Sequence, residues 1–204
     1  HEEHSAHLFG EPLRKEILRL AFLWIENEGQ PITGLSHSPL SPTLQKFLGN
    51  YLFLRQEDTP LLEQLHQLAL LSEALHPAPR AQGVFYTPPQ LVRWLVRRSF
   101  KYVHPGHFLR FCVYDPACGS GLFLWASYVE LRRRHPRCTE AQSRYWMEHL
   151  LGTDTDPLAL QVAAFGLKQL WRRDYPGAPF PKLQLHPLDT LSLSSVSQTA
   201  EAGH

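Results

Sequence analysis

The first eighty residues carry apolar side chains at the spacing of amphipathic helices. Pro12, Ser41-Pro42 and Thr59-Pro60 mark three helix starts, and Gly29 followed by Pro31 ends the first helix. The apolar positions are Leu13, Ile17, Leu20, Ala21 and Trp24 in the first helix, Leu44, Phe47, Leu48 and Tyr51 in the second, and Leu61, Leu65, Leu68, Leu71 and Leu75 in the third. The pattern predicts an α-helical N-terminal region over residues 1–82, for which a scaffold role is favoured.

A linker-like run over residues 76–83, rich in proline, alanine and glycine, separates this region from the rest. After a short extended piece, a new helix starts at Thr87-Pro88-Pro89-Gln90 and is expected to continue toward Tyr102. We predict Thr87 as its N-cap, Pro88 as its first helical residue and Gln90 as the capping-box partner.

From residue 108 onward, apolar runs alternate with helical patterns. Strands are predicted at 108–114, 150–153 and 183–187, and helices at about 120–134, 140–149 and 157–173. Thr139 and Asp156 are placed to begin the last two helices. Such alternation is typical of a parallel sheet covered by helices. We therefore predict an α/β fold over residues 83–204, a partial Rossmann-like sheet of three parallel strands with flanking helices.

The composition of the sequence excludes few classes of binding partner. The 204 residues carry a net charge of +1 and are 43% hydrophobic, so total charge demands neither nucleic acid nor a membrane surface. Three cysteines without paired spacing favour a reducing, cytoplasmic setting. The leucine-rich stretch 61–75 is interrupted by polar residues, so no membrane span is predicted. Basic clusters at 93–101, 132–137 and 172–173 are interpreted as solvated helix faces rather than phosphate contacts.

Both ends of the sequence are polar. The first residue is a histidine, not a methionine, which leaves open whether these residues are a piece of a longer polypeptide. No signal peptide is apparent at the start. His1, His4 and His7 lie close together, but we interpret them as a frayed terminus and predict no metal site.

The candidate chemistry lies where the predicted strands end. Asp115, Asp154 and Asp189 each fall at or just after a strand, and ligands bind at this edge of parallel sheets. The small residues that follow Asp115 allow the backbone to approach a ligand closely. Three carboxylates suit a ligand with several hydrogen-bond donors, such as a nucleoside. Asp156, by contrast, is expected to serve only as a helix cap.

Four motifs in this order resemble those of N6-adenine DNA methyltransferases, in the form found in type I modification subunits and fused type IIG restriction-modification enzymes. The resemblance implies an S-adenosylmethionine site. In it, Asp115, Pro116, Ala117, Cys118, Gly119 and Gly121 form the cofactor turn, and Tyr86, Thr87 and Pro88 lie near the methionine end. Asp154 then binds the ribose and Thr155 follows it, where many relatives carry an apolar residue. Asp189 meets the adenine amine, and Thr190 belongs to the same motif.

In that family, an Asn/Asp-Pro-Pro-aromatic motif presents a flipped-out adenine to the cofactor. The sequence lacks it, since Pro88-Pro89 is its one Pro-Pro pair, so no catalytic residue is assigned and the chain alone is expected to bind cofactor without transferring methyl groups. DNA is the expected partner of the complete protein or complex, with the missing parts on further sequence or on a second polypeptide. Two alternatives stay open, a non-catalytic scaffold or regulator and a methyltransferase that acts on RNA or protein.

Overall fold

A computed structural model describes residues 11–26, 61–75 and 87–191. The chain divides into two compact units, an N-terminal unit (1–86) and a C-terminal unit (87–204). The domain boundary predicted between residues 82 and 83 falls outside the described ranges and stays a prediction. None of the helices in these ranges combines the length and the apolar character needed to cross a bilayer.

The N-terminal unit contains two described helices that pack together, α1 (Glu11–Glu26) and α2 (Leu61–Ala74). Ile17, Leu18 and Ala21 of α1 are buried, and α2 buries Leu65, Leu68 and Leu71. The predicted helical faces are thus confirmed at Ile17, Ala21, Leu65, Leu68 and Leu71, whereas Leu61 is only half-buried. The helix predicted from Ser41-Pro42, and the side chains of Leu13, Leu20 and Trp24, lie outside what is described.

The C-terminal unit is built on three short parallel strands, β1 (Val113–Asp115), β2 (Leu150–Asp154) and β3 (Gln184–Pro187). Their spatial order is β1-β2-β3, with Asp115 beside Gly152 and Asp154 beside Pro187. The helices are α3 (Pro89–Phe100), α4 (Leu122–Arg134), α5 (Glu140–Glu148) and α6 (Pro157–Asp174). The predicted α/β class, with three parallel strands, flanking helices and helices N-terminal to them, is confirmed.

The strand predicted at 108–114 is mostly wrong. Residues Pro105–Arg110 form a 3-10 helix, and β1 covers only the last three positions before the turn. His104 begins the 3-10 helix, because its Nδ1 accepts a hydrogen bond from the Gly106 N–H at 3.2 Å. Phe108 is buried among aromatic rings, and its carbonyl accepts the Trp146 indole N–H at 2.6 Å. Phe108 is therefore buried by ring packing and not by strand pairing.

The predicted start of α3 is also wrong by one residue. Pro88 has φ −52° and ψ 135° and lies outside the helix, Pro89 begins it, and no side chain caps its end. A residue before proline is excluded from the helical region, so Pro89 pushes Pro88 out of the helix and leaves Thr87 too far away to cap it. The other two predicted caps are confirmed: Thr139 accepts the Gln142 N–H, and Asp156 accepts the Leu158 N–H.

Gly166 makes room for a large side chain at the contact between α4 and α6. Trp125 of α4 is fully buried, and its indole N–H donates to the Ala163 carbonyl of α6 at 2.9 Å. A Cβ at Gly166 would lie 2.2 Å from the Trp125 ring. Gly166 therefore leaves the space that this indole fills, and the two helices hold the loops at the carboxyl ends of the strands.

Candidate functional site at the carboxyl ends of the strands

The turn between β1 and α4 is shaped by one aspartate and two glycines. Asp115 ends β1, and its Oδ1 accepts the Ala117 N–H at 3.2 Å. The Gly121 N–H then donates to the Cys118 carbonyl at 2.8 Å. Gly119 and Gly121 have φ values of +51° and +85°, which residues with a Cβ adopt only with strain. The small residues in the sequence thus correspond to a tight turn that leads into α4.

The two glycines of the turn differ in their surroundings. A Cβ at Gly121 would lie 2.7 Å from the Ala163 Cβ and 2.9 Å from its Cα, so Gly121 is needed for the packing of α4 against α6. A Cβ at Gly119 would meet no atom within 4 Å. The backbone at Gly119 therefore borders open space, where a ligand can approach it.

Asp154, at the end of β2, joins the turn to the second strand. Its Oδ2 accepts the Gly119 N–H at 2.9 Å, and its Oδ1 accepts the Asp156 N–H at 2.9 Å. The Cys118 N–H adds a bond to the Thr153 carbonyl at 2.9 Å. These two hydrogen bonds help to hold the turn against β2, and each oxygen of the Asp154 carboxylate keeps a further lone pair for a ligand.

The loop after β3 reaches the same turn. The Leu188 N–H donates to the Asp154 carbonyl at 3.0 Å, and the Thr190 hydroxyl donates to the Pro116 carbonyl at 2.5 Å. Asp189 is exposed, and its Oδ1 accepts the Leu191 N–H at 3.0 Å. Segments that follow all three strands therefore meet at one edge of the sheet.

Two side chains in the turn, Asp115 and Cys118, have raised pKa values. Burial raises the pKa of Asp115, and the neighbouring Asp154 carboxylate adds to the shift, while the hydrogen bond from Ala117 opposes it. Burial also raises the pKa of Cys118 to about 12, with Asp115 and Asp154 adding to it. Cys118 therefore stays a neutral thiol, packed against Gly152, and is unsuited to nucleophilic attack. Two nearby carboxylates favour a ligand with positive charge or several hydrogen-bond donors.

The sequence-predicted residues lie in two places. The turn residues Asp115, Pro116, Ala117, Cys118, Gly119 and Gly121 are brought together with Asp154, Thr155, Asp189 and Thr190. Thr155 is exposed beside Asp154. Thr87 and Pro88 precede α3, and Tyr86 lies outside the described residues. Sequence reasoning missed Thr153 and Tyr114 as site residues; a polar residue inside a short apolar strand, directly before Asp154, was the available signal for Thr153.

Arginines of the basic clusters are engaged in ion pairs. Glu130 of α4 is buried, and its carboxylate pairs with Arg133 and Arg134 at 2.7 Å and with Arg97 of α3 at 3.7 Å. Asp174 at the end of α6 pairs with Arg132 at 3.0 Å and with Arg173 at 2.8 Å. The Arg97–Glu130 and Arg132–Asp174 pairs join neighbouring helices, and the other pairs lie within one helix. These contacts support the interpretation of the arginines as helix-face charges.

An apolar groove of about 400 Å³ runs along the outer edge of β1. It is lined by α3, α4, β1 and the residues just before β1, mainly through Leu95, Val96, Phe100, Phe111, Val113 and Phe123, and Asp115 also lines it. Among the described strands, β1 is paired only with β2, so the groove lies along an unpaired strand edge.

The comparisons with known proteins bear on this site. A solved structure that is similar to this chain is the crystal structure of "a modification subunit of a putative type I restriction enzyme from Vibrio vulnificus YJ016". Its sequence identity to this chain is 23%, and the TM-score is 0.44. The match covers 72% of this chain and 28% of that chain, so the present sequence spans under a third of that protein. A search of curated proteins gives no match. The sequence model of the family described as N-6 DNA Methylase matches residues 69–167, which include the turn and Asp154. Residues 69–167 of this chain are thus similar to the N-6 DNA methylase family.

Proposed function

We propose that this chain is the cofactor-binding portion of a DNA adenine-N6 methyltransferase of a restriction-modification or related defence system, and that the site at the strand ends binds S-adenosylmethionine. The observation that carries the proposal is the hydrogen bond from the Gly119 N–H to Asp154. It joins the open face of the turn to the carboxylate of the second strand, so that both can contact one ligand.

The residues present fit this cofactor chemically. S-adenosylmethionine brings a sulfonium, an ammonium, two ribose hydroxyls and an adenine amine, and each of these is a cation or a donor. Asp115, whose pKa is raised by burial, gains from a cationic ligand, since the ligand offsets the cost of its buried charge. In the proposed arrangement Asp154 accepts from the ribose and Asp189 from the adenine amine, with Thr155 beside the adenine.

The methyl acceptor is proposed to be an adenine in DNA. Bound S-adenosylmethionine supplies an electrophilic methyl group, and the residues of this chain bind and orient it. The sequence contains no Asn/Asp-Pro-Pro-aromatic motif to hold the accepting amine. We therefore assign acceptor presentation and target recognition to residues outside this sequence. The apolar groove along β1 is where a further strand of the sheet would pair and bring such residues next to Asp115.

Calorimetry tests the cofactor assignment. A folded sample, checked by circular dichroism, is titrated with S-adenosylmethionine and with S-adenosylhomocysteine, and one-to-one binding is expected. Asp154→Ala is expected to weaken binding by roughly tenfold or more, because a charge-assisted hydrogen bond is lost. The matched control is Glu140→Ala, which removes an exposed acidic residue of α5 that pairs with Arg144. A folded sample that binds neither ligand, with the same result for the intact parent, rejects the proposal in favour of a scaffold.

Methyl transfer is tested separately with labelled cofactor and unmethylated DNA. The chain alone is expected to transfer no label, while the parent protein or complex that supplies the acceptor motif is expected to label adenine N6. Label on RNA or on a protein amide, with none on DNA, would reject the choice of acceptor without affecting the cofactor site.

A further inference from the structure

The Pro116 carbonyl is held by two threonine hydroxyls from different parts of the chain. Thr153 Oγ1 of β2 lies 3.0 Å from this carbonyl oxygen, and Thr190 Oγ1, in the loop after β3, lies 2.5 Å from it. The sequence separations are 37 and 74 residues. One backbone oxygen thus links the turn after β1 to the segments that follow the other two strands.

The numbers of donors and acceptors allow both threonine hydroxyls to bind the same carbonyl oxygen. A carbonyl oxygen has two lone pairs and each threonine hydroxyl has one proton, so both hydroxyls can donate to Pro116 at once. Tyr114 lies 3.4 Å from Thr153 through its hydroxyl, and it then serves as the donor in that contact. The 3.3 Å approach of the two threonine oxygens is a consequence of their shared acceptor. Pro116 itself has no N–H, so this carbonyl is its one polar backbone group.

We propose that Thr153 and Thr190 are positioning residues that set the place of Asp189 relative to the cofactor turn. This inference rests on the proposed function, in which Asp189 accepts the adenine amine. Thr190 was predicted from the sequence to bind the cofactor. In this proposal its hydroxyl instead donates to Pro116 and acts on the ligand only through the neighbouring Asp189.

The location of the two threonines explains why they suit this role. Thr153 is only 5% exposed and lies on the strand paired on both sides, so it is a fixed reference point. Thr190 is half-buried and lies next to Asp189, which is exposed. The bond from Thr190 to Pro116 therefore attaches an exposed loop directly to the turn that holds Asp115 and Gly119.

The test uses discrimination between two ligands that differ in the adenine amine. S-adenosylhomocysteine carries the amine, and S-inosylhomocysteine carries an oxygen there. Wild type is expected to prefer the adenosyl ligand, because its amine donates to Asp189, whereas the inosyl ligand places a carbonyl oxygen there, which repels the carboxylate. Thr190→Val keeps the side-chain shape and removes the hydroxyl; it is expected to bind S-adenosylhomocysteine about tenfold more weakly and to lose most of the preference. Thr190→Ser keeps the hydroxyl and is expected to restore both.

Several outcomes overturn the inference. If Thr190→Val binds both ligands as wild type does, the hydroxyl does not position Asp189. If Thr190→Ser loses the preference as completely as Thr190→Val does, the hydroxyl is not sufficient to position Asp189 and the inference fails. If Thr190→Val loses helical signal by circular dichroism, Thr190→Ala is measured with the same two ligands and the same expectations. Absence of binding by wild type is a different result, since it rejects the proposed function itself.

Discussion

Replacing the two turn glycines by alanine should separate stability from binding. At Gly121, alanine meets two costs, the positive φ of +85° and overlap with Ala163 at 2.7 Å. The conformational cost is about 1–2 kcal/mol and overpacking adds roughly 1–3 kcal/mol. Gly121→Ala should therefore lower the free energy of unfolding by about 2–5 kcal/mol, a large share of the roughly 5–15 kcal/mol typical of whole domains.

Gly119→Ala is the matched comparison, because its new methyl group meets no atom within 4 Å. Only the cost of the positive φ applies, about 1–2 kcal/mol. The methyl group, however, enters the space where we place the cofactor, so binding of S-adenosylhomocysteine should weaken by about tenfold or more, which corresponds to ~1.4 kcal/mol.

Urea denaturation followed by circular dichroism measures the first quantity for both variants, and calorimetry measures the second. The reasoning is refuted if Gly121→Ala is no less stable than Gly119→Ala. It is equally refuted if Gly119→Ala folds and binds as tightly as wild type, since the space beside Gly119 would then not be the ligand site.

Three further predictions follow from the same region. Gly166→Ala should destabilise the fold in urea denaturation, because its Cβ would overlap three atoms of the Trp125 ring. Such overlap costs roughly 3 kcal/mol, which exceeds the helix-propensity gain of about 1 kcal/mol; a stabilised variant would contradict this. Alkylation at pH 8 followed by mass spectrometry should modify the exposed Cys112 well before Cys118, whose pKa is raised to about 12; equal rates would show that Cys118 is accessible and ionised. Asp115→Asn should raise the melting temperature at pH 7, because the raised pKa of Asp115 means that its ionised carboxylate opposes folding. The gain in melting temperature should shrink as the pH falls through the raised pKa of the folded state and vanish below 3.8, the ordinary pKa of the group. A gain that is constant with pH would show that the charge of Asp115 does not oppose folding.

The parts of the fold that could be predicted from the sequence are those set by local rules. Thr139 and Asp156 begin helices because their side chains accept N–H groups within the next three residues, and this follows from the sequence alone. The start of α3 was also within reach of a local rule, since Pro89 excludes Pro88 from the helix. Capping-box spacing favours Pro88 as the first helical residue, but the second proline has the stronger effect and shifts the helix start to Pro89.

The 3-10 helix could not be predicted in this way. Phe108 is buried against Phe100 and Phe111, and its carbonyl is paired with Trp146, which lies 38 residues away. An apolar run with one side chain buried in this way has the same composition as a short strand, and periodicity cannot distinguish the two.

In the candidate site, too, the positions of residues along the chain could be predicted, but their contacts could not. The three aspartates could be placed at strand ends, because strand ends follow from alternating apolar and helical segments. The bond between Gly119 and Asp154, and the pairing of Thr153 and Thr190 on one carbonyl, depend on how three loops fold over one another. A sequence pattern identifies which segments meet, but not which hydroxyl or amide reaches which acceptor.

The position of β2 between β1 and β3 has a consequence for hydrogen exchange. Each of its backbone N–H groups can donate to one neighbouring strand only, so the loss of one outer strand exposes part of them and leaves β2 paired with the other strand. Thr153 and Asp154 therefore belong to the last part of the sheet to open. The loops that follow β1 and β3 can come away briefly and return to the same two anchoring residues, which preserves the geometry of the site through local unfolding.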